Sequence, residues 1–550
     1  MNRRLGILLV VASAAGLALV PAASSVGVER TTVLPKPSND TPEWISNSTA
    51  ELCRLTGPGA ATIHGQLATA VGYGLIMGDH GYSFTYDGKL VFLFGDAKAT
   101  AYFPIASKAT AAVNSGRWST DARQGDARSY TNDAIATASA TRPPSSKCPT
   151  LTLATQNAST GGAVGAYVNE HVVISGVGGP GKEVSLRGNE SPVSGITENG
   201  VMYVLFKTNN PNQCPQAQPG SKPPGCLDPK GPAGASYSSV IARLDQGNGV
   251  PPDTFQYLYT LSGPPAVPAP ATLSLDPCPT PGRFVNVAMA NGNDGYVYLW
   301  GTSGGLAPGE DGNKCSSAEY QDHSDVYLAR IPQSQLGAAG QSGGDAPPTA
   351  IQYLTGVRGS GVPAWTSAGS AEDNESAASA LFTNGTTPCM AELGVQWNAS
   401  LKRWMMLYNC KDSTPQNPAG IWMRTAPEPW GPWSAPQTIL NPAPGTHLGF
   451  CWLIHQQSGC PRGAPNPPQS GKSGAGGAYY GPYFVDGWTT SAEQTTGDPE
   501  TGEVHYVDST FYYTLDTYDP YGQWIMHSTV QEPTGYTPPT HHTCTGTKCV

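Results

Sequence analysis

Asp79, Asp133, Glu190, Asn286 and Glu392 occupy comparable places along this chain. Asp79, Glu190, Asn286 and Glu392 each lie six to nine residues ahead of a turn, and Asp133 opens the stretch DAIATAS. Carboxylates set alike at the starts of separate strands can meet at one cavity. Like charges there raise some pKa values, so that one acid keeps its proton while another stays ionised. Glycosidic bond cleavage needs that division. One acid protonates the leaving oxygen, and one carboxylate activates water or attacks carbon. The same oxygens would also suit calcium, so a structural calcium ion is an open alternative use of them, alone or beside catalysis.

The elements that would carry these acids are hairpins. Gly78 to Asp96 reads GDHGYSFTYDGKLVFLFGD, with Tyr82, Phe84 and Tyr86 alternating with Ser83 and Thr85, the period of a half-buried strand. Asp87-Gly88 is a two-residue turn that accepts positive φ. The pattern returns in Val193–Phe206, Phe284–Trp300 and Glu392–Tyr408, with turns at Asn199-Gly200, Asp294-Gly295 and near Asn398. The turns are spaced by roughly a hundred residues, and further strand pairs follow each hairpin, the grammar of a β-propeller. Asp133–Ser139, followed by Ala163–Ile174, reads as a degenerate second unit. Val504–Val530 reads as the last strands, closing the ring against the first blade. The expectation is an all-β, five-bladed β-propeller with long Pro/Gly-rich loops. Six blades, or a pair of β-sandwiches, are the alternatives.

Residues 1–23 have a basic start at Arg3 and Arg4, an apolar run and the small-residue site Val20-Pro21-Ala22, as in a secretory signal peptide. Residues 24–60 read as a polar, Pro-rich N-terminal arm, 61–531 as the propeller and 532–550 as a C-terminal tail. No later run is long and apolar enough for a membrane span, so a secreted, extracellular, monomeric protein is expected. Twelve cysteines suit an oxidising compartment. Cys214/Cys226, Cys451/Cys460 and Cys544/Cys549 are spaced for local disulfides, and Cys389 and Cys410 flank a hairpin. The pairing of Cys53, Cys148, Cys278 and Cys315 stays open.

The formal charge is −10 and only 13% of residues are charged. Nucleic acid is a poor partner, because phosphate neutralisation needs clustered Lys and Arg. With 66 Gly, 51 Pro and 25 Tyr, the composition favours turns, strands and aromatic surface, which suits sugar rings. Two Gly-x-Ser-x-Gly matches, at Gly301 and Gly340, do not lead into helices and lack the serine-hydrolase context.

The segments GDHGYSFTYDGKLVFLFGD, NDAIATAS, FVNVA, SDVYLARIP, AELGVQWNASLKRWMMLYN, IWMRTAPEPWGPWS, YYGPYF and FYYTLDTYDPYGQWIMHS resemble a family of secreted bacterial proteins long described as a domain of unknown function. That family includes endo-D-arabinanases acting on actinobacterial cell-wall arabinan. The resemblance runs from about Gly78 to Val530. It implies a five-bladed propeller, and, through the wider group of five-bladed arabinanases and furanosidases, Asp, Asp and Glu at successive blade starts. Asp79, Asp133 and Glu190 fall in that register, as base or nucleophile, pKa modulator and general acid. Asp96, Asn286, Glu392, His455 and Tyr480 are the expected substrate contacts. The expected activity is hydrolysis within a furanose-containing polysaccharide, without a required cofactor. The competing readings are a non-catalytic carbohydrate-binding propeller and a calcium-dependent adhesion module.

Overall fold

A computed structural model describes residues 41–56, 75–99, 132–139, 142–143, 148–149, 151–153, 173–175, 183–185, 191–208, 238–246, 254–262, 282–302, 325–341, 346–370, 374–383, 390–410, 420–440, 478–498, 502–518, 522–537, 544–545 and 548–549. The protein is all-β. Its described residues contain no α-helix, only two 3-10 turns at Gln333–Gln335 and Glu375–Ala377.

Strands β1 (Glu43–Trp44) and β2 (Ala50–Thr56) come first. A first sheet follows, with β3 (Leu75–Tyr86), β4 (Lys89–Ala99), β5 (Asn132–Ala138) and β6 (Thr152–Leu153) side by side in that order. The second sheet comprises β7 (Val173–Ser175), β8 (Glu183–Ser185), β9 (Ser191–Glu198), β10 (Val201–Thr208), β11 (Ser238–Leu244) and β12 (Thr254–Ser262), in spatial order β8-β7-β12-β11-β10-β9. The third comprises β13 (Asn286–Asn291), β14 (Tyr296–Thr302), β15 (Asp325–Pro332), β16 (Gln352–Val357) and β17 (Pro363–Trp365), with β18 (Ala380–Thr383) paired to β15. The fourth runs β19 (Met390–Asn398), β20 (Arg403–Cys410), β21 (Gly420–Ala426) and β22 (Gln437–Leu440). The fifth holds β23 (Ala478–Asp498), β24 (Gly502–Tyr518) and β25 (Gly522–Thr537), and both β1 and β2 pair with β25. A short pair, β26 (Cys544–Thr545) and β27 (Lys548–Cys549), places Cys544 opposite Cys549.

The hairpins form where alternation meets turn chemistry. Asp87 and Gly88 take φ of 47° and 68°, and Asn199 and Gly200 take 51° and 76°. Positive φ at both central positions matches the right-handed twist of the flanking strands. Asn398 makes its turn through a side chain: its Oδ1 accepts from the Leu401 amide at 3.1 Å.

The opening strands of the five sheets pack against one another in cyclic order: β3 on β9, β9 on β13, β13 on β19, β19 on β23, and β23 on β3. Five apolar clusters fill the seams. Phe84 and Leu93 join Val204 and Phe255 between the first and second sheets. Leu205 and Tyr259 join Leu299 and Tyr353 between the second and third. Trp300 meets Trp404 and Tyr408 between the third and fourth. Met405 and Ile421 meet Phe511 and Met526 between the fourth and fifth. Phe92 and Ala136 meet Trp488 and Ile525 between the fifth and first. Glycine lets the opening strands approach closely at two seams. A Cβ on Gly195 would lie 2.2 Å from the Phe84 ring, and one on Gly394 would lie 2.8 Å from the Pro482 carbonyl oxygen.

One sequence expectation needs correction. Asp133–Ser139 does not open a second unit. It is β5, the third strand of the first sheet, paired with β4 from Leu90↔Ala138 to Phe94↔Ala134. The small residues Ala134, Ala136 and Ala138 pack beside Phe92 and Phe94 in the same seam. Ile174, expected in that unit too, lies in β7, which runs parallel to β12 in the second sheet. Val504–Val530 lies in β24 and β25 of the fifth sheet, which packs against β3 of the first, and β1 and β2 from the segment expected as an arm pair with β25. The disulfide Cys53–Cys148 fastens β2 to the segment between β5 and β6.

Candidate active site

The site grows from an irregularity at the start of β3. His80 has φ of 68° and Gly81 of 60°, and the β3/β4 register shifts between His80 and Tyr82. A bulky residue with positive φ is uncommon and is held there only by strong local contacts. Those contacts come from two other sheets. The His80 amide donates to Oδ2 of Asp516 on β24 at 2.7 Å. Its ring nitrogens sit 3.0 Å from the Tyr483 hydroxyl on β23 and 2.9 Å from Ser191 Oγ on β9. Thr514 Oγ1 donates to the His80 carbonyl at 3.3 Å.

Asp516 is wholly buried, and its Oδ1 accepts from Gln523 Nε2 at 2.8 Å. Two glycines leave room for this pair. A Cβ on Gly481 would lie 1.9 Å from Asp516 Oδ2, and one on Gly81 would lie 2.3 Å from Gln523 Nε2. The polar pair from the fifth sheet is thus wedged between the starts of β3 and β23.

Asp79 immediately precedes His80 and pairs with Gly95 on β4. Farther across, Phe94 pairs with Ala134 and Ala97 with Asn132, so Asp133 stands opposite the irregular Gly95–Asp96 step. Asp79, Asp96 and Asp133 therefore lie at one end of three neighbouring strands. Asp133 is 2% exposed. Buried Asn286 opens β13, and buried Glu392 lies near the start of β19. Tyr480 begins β23 opposite Asp516. Glu190 and His455 lie outside the described residues, but Ser191, the residue after Glu190, is the one bonded to His80. Tyr82, two residues past His80, donates its hydroxyl to the Met289 carbonyl at 2.8 Å. Burial is the main cause that pushes this phenol up to about 12, so it stays a neutral donor tying β3 to β13.

His80, Asp516 and Gln523 were not singled out from sequence. The available signal was polarity out of place: Asp516 interrupts the apolar run FYYTLDTY, and His80 stands between Asp79 and Gly81. Neither cue says which distant strand supplies the partner.

Residues 236–527 match DUF4185, a domain of unknown function. The chain belongs to the DUF4185 family. The DUF4185 match begins in the second sheet, so it includes Asn286, Glu392 and Asp516 and leaves Asp79, Asp96 and Asp133 ahead of it. No curated protein matches the chain. Among solved structures, a GH43_1 enzyme from Xanthomonas citri is 10% identical, with 85% of this chain and 89% of that chain covered and a TM-score of 0.32. The catalytic domain of a GH62 α-L-arabinofuranosidase from Coprinopsis cinerea is 8% identical, covering 88% and 97%, at 0.34. An endo-1,5-α-L-arabinanase from Thermotoga petrophila RKU-1 is 8% identical, covering 85% and 76%, at 0.33. TM-scores of this size carry no inference to the activity of this DUF4185 protein.

Proposed function

We propose that the five sheets are the blades of a five-bladed β-propeller and that the chain is a secreted glycoside hydrolase. Its substrate is a furanose-containing cell-wall polysaccharide, D-arabinan of the arabinogalactan type, cut within the chain. The observation that carries this reading is the placement of Asp79, Asp96 and Asp133 at one end of β3, β4 and β5, with His80 beside Asp79 bonded to Ser191 beside Glu190. Acids gathered at one end of neighbouring strands repel as they ionise, which favours one staying protonated. Asp79 serves as base or nucleophile and Glu190 as general acid. Asp133, buried at the start of β5, orients and tunes, and Asp96 on β4 shares that task. Water supplies the hydroxyl and the leaving sugar takes the proton, so the reaction requires no cofactor. The protein acts as a monomer on an extracellular polymer.

Incubation of the mature protein with a panel of arabinans and arabinogalactans, followed by product analysis, tests the reading. Internal cleavage to oligosaccharides by the wild type, abolished in Asp79→Asn, is the expected result. Absence of products from every polymer, or full activity in Asp79→Asn, overturns it. Saturable binding without cleavage would point instead to a carbohydrate-binding propeller.

A further inference from the structure

Glu392 and Asn409 hold unused hydrogen-bonding atoms at the start of the fourth sheet. The β19/β20 register shifts between Met390 and Leu393, and there the Glu392 amide donates to Asn409 Oδ1 at 2.9 Å instead of to a ladder carbonyl. That bond fixes the Asn409 amide, so its NH2 group faces away from the Glu392 backbone. Asn409 is wholly buried and Glu392 is 7% exposed. Asn409 Nδ2 and Glu392 Oε2 are both buried and have no hydrogen-bond partner. Among the described residues no cation pairs with Glu392. Leaving a buried donor and a buried carboxylate oxygen unmet is costly, and such groups call for a ligand or a task.

Their chemistry limits the ligand. A metal ion would be repelled by the fixed Asn409 NH2, and an anion by the Glu392 carboxylate. A hydroxyl meets both, donating to Glu392 Oε2 and accepting from Asn409 Nδ2. The position suits it. Leu393 and Val395 lie in the seam toward the third sheet, so by alternation Glu392 shares the other face of β19 with Gly394 and Gln396. Gly394 packs on the Pro482 carbonyl, and Gln396 Nε2 reaches Thr489 Oγ1 at 3.4 Å. That face looks toward β23, whose own start carries Tyr480 opposite Asp516.

We propose that Glu392 and Asn409 form a subsite that binds one sugar hydroxyl of the polysaccharide. The proposal rests on the glycan reading above. The test uses the full mature chain carrying Asp79→Asn, titrated calorimetrically with arabinan oligosaccharides. Adding Glu392→Gln or Asn409→Asp should each weaken binding about tenfold or more, as expected for one hydrogen bond to a charged or buried group. Combining both exchanges donor for acceptor on the two sides. A hydroxyl can turn to meet the exchanged pair, so the double variant should regain most of the affinity, which a purely structural role would not produce. It also keeps the test decisive if a single variant melts early.

Single variants that bind like their parent, or a double variant as weak as both losses combined, would overturn the subsite and leave a buried water there. A parent that binds no oligosaccharide would overturn it as well. So would a rise in Tm with calcium that is lost in Glu392→Gln. Failure of the hydrolase reading is separate: the Asp79-intact protein would then bind without releasing products while the variant pattern persists.

Discussion

The His80 amide and the Asp516 carboxylate, 436 positions apart in sequence, meet at 2.7 Å across the seam between the first and fifth sheets. Asp516 also accepts from Gln523, so one buried carboxylate satisfies two donors. Asp516→Leu strands both and should cost about 2–6 kcal/mol in urea denaturation, at 1–3 kcal/mol per unmet buried donor. Asp516→Asn should cost about 1–2 kcal/mol, because Gln523 can turn its amide so that Oε1 accepts from the new NH2.

The space around that carboxylate is set by glycine. Gly481 has φ of 59°, and its absent Cβ would fall 1.9 Å from Asp516 Oδ2. Gly88 has φ of 68° and nothing within 4 Å. Gly88→Ala should therefore cost only the left-handed strain of about 1–2 kcal/mol, while Gly481→Ala adds a clash with a buried charge and should cost clearly more. Thermal denaturation of the two variants, side by side, measures the difference.

For the acids, activity and stability should separate. Asp79→Asn, if Asp79 is base or nucleophile, should lower kcat by about 10²–10⁴ on the responsive polysaccharide. Asp96→Asn and Asp133→Asn should shift the pH–rate profile, since each removes an acid from the same end of the first sheet. Initial rates across pH, with Tm recorded for each protein, check these outcomes.

Cys53 and Cys148 close a loop of sequence separation 95. Loop-closure entropy for that length gives about 4–5 kcal/mol. The double variant Cys53→Ser/Cys148→Ser should lose up to that amount in chemical denaturation.

His527 on β25 packs beside the Tyr512 ring, 5.6 Å between centroids, and burial holds its pKa below the ordinary 6.5. Above about pH 6.5 the ring is neutral folded and unfolded, and it has no effect on stability. As the pH falls through that value the unfolded chain takes up a proton first. Stability therefore declines until the pH passes below the folded pKa, where the decline stops. His527→Gln should flatten this part of a stability curve measured by urea titration at several pH values.

The hairpins were legible because two local signals coincide in them. Alternation gives the strand, and Asp87-Gly88 or Asn199-Gly200 gives a turn whose two positive φ angles the structure shows. The opening positions of Asn286 and Glu392 followed from those hairpins. The sheet to which Asp133 belongs did not, because a strand of small residues such as DAIATAS reads the same at the front of a sheet or inside it. Its place is decided by Phe92 and Phe94, which leave room for alanine on the next strand. The His80–Asp516 contact was hidden for a related reason: a residue's type is local, while its burial partner is chosen by how the whole chain closes.

β1 and β2, ahead of the first sheet in sequence, and β23 to β25, after the fourth, share one sheet. A ribosome releases the former long before the latter exist. The early strands must therefore wait, without their β25 partner, until the fifth sheet has been synthesised. Truncations that remove β25 should leave the N-terminal strands open to proteases, however well the middle sheets have assembled.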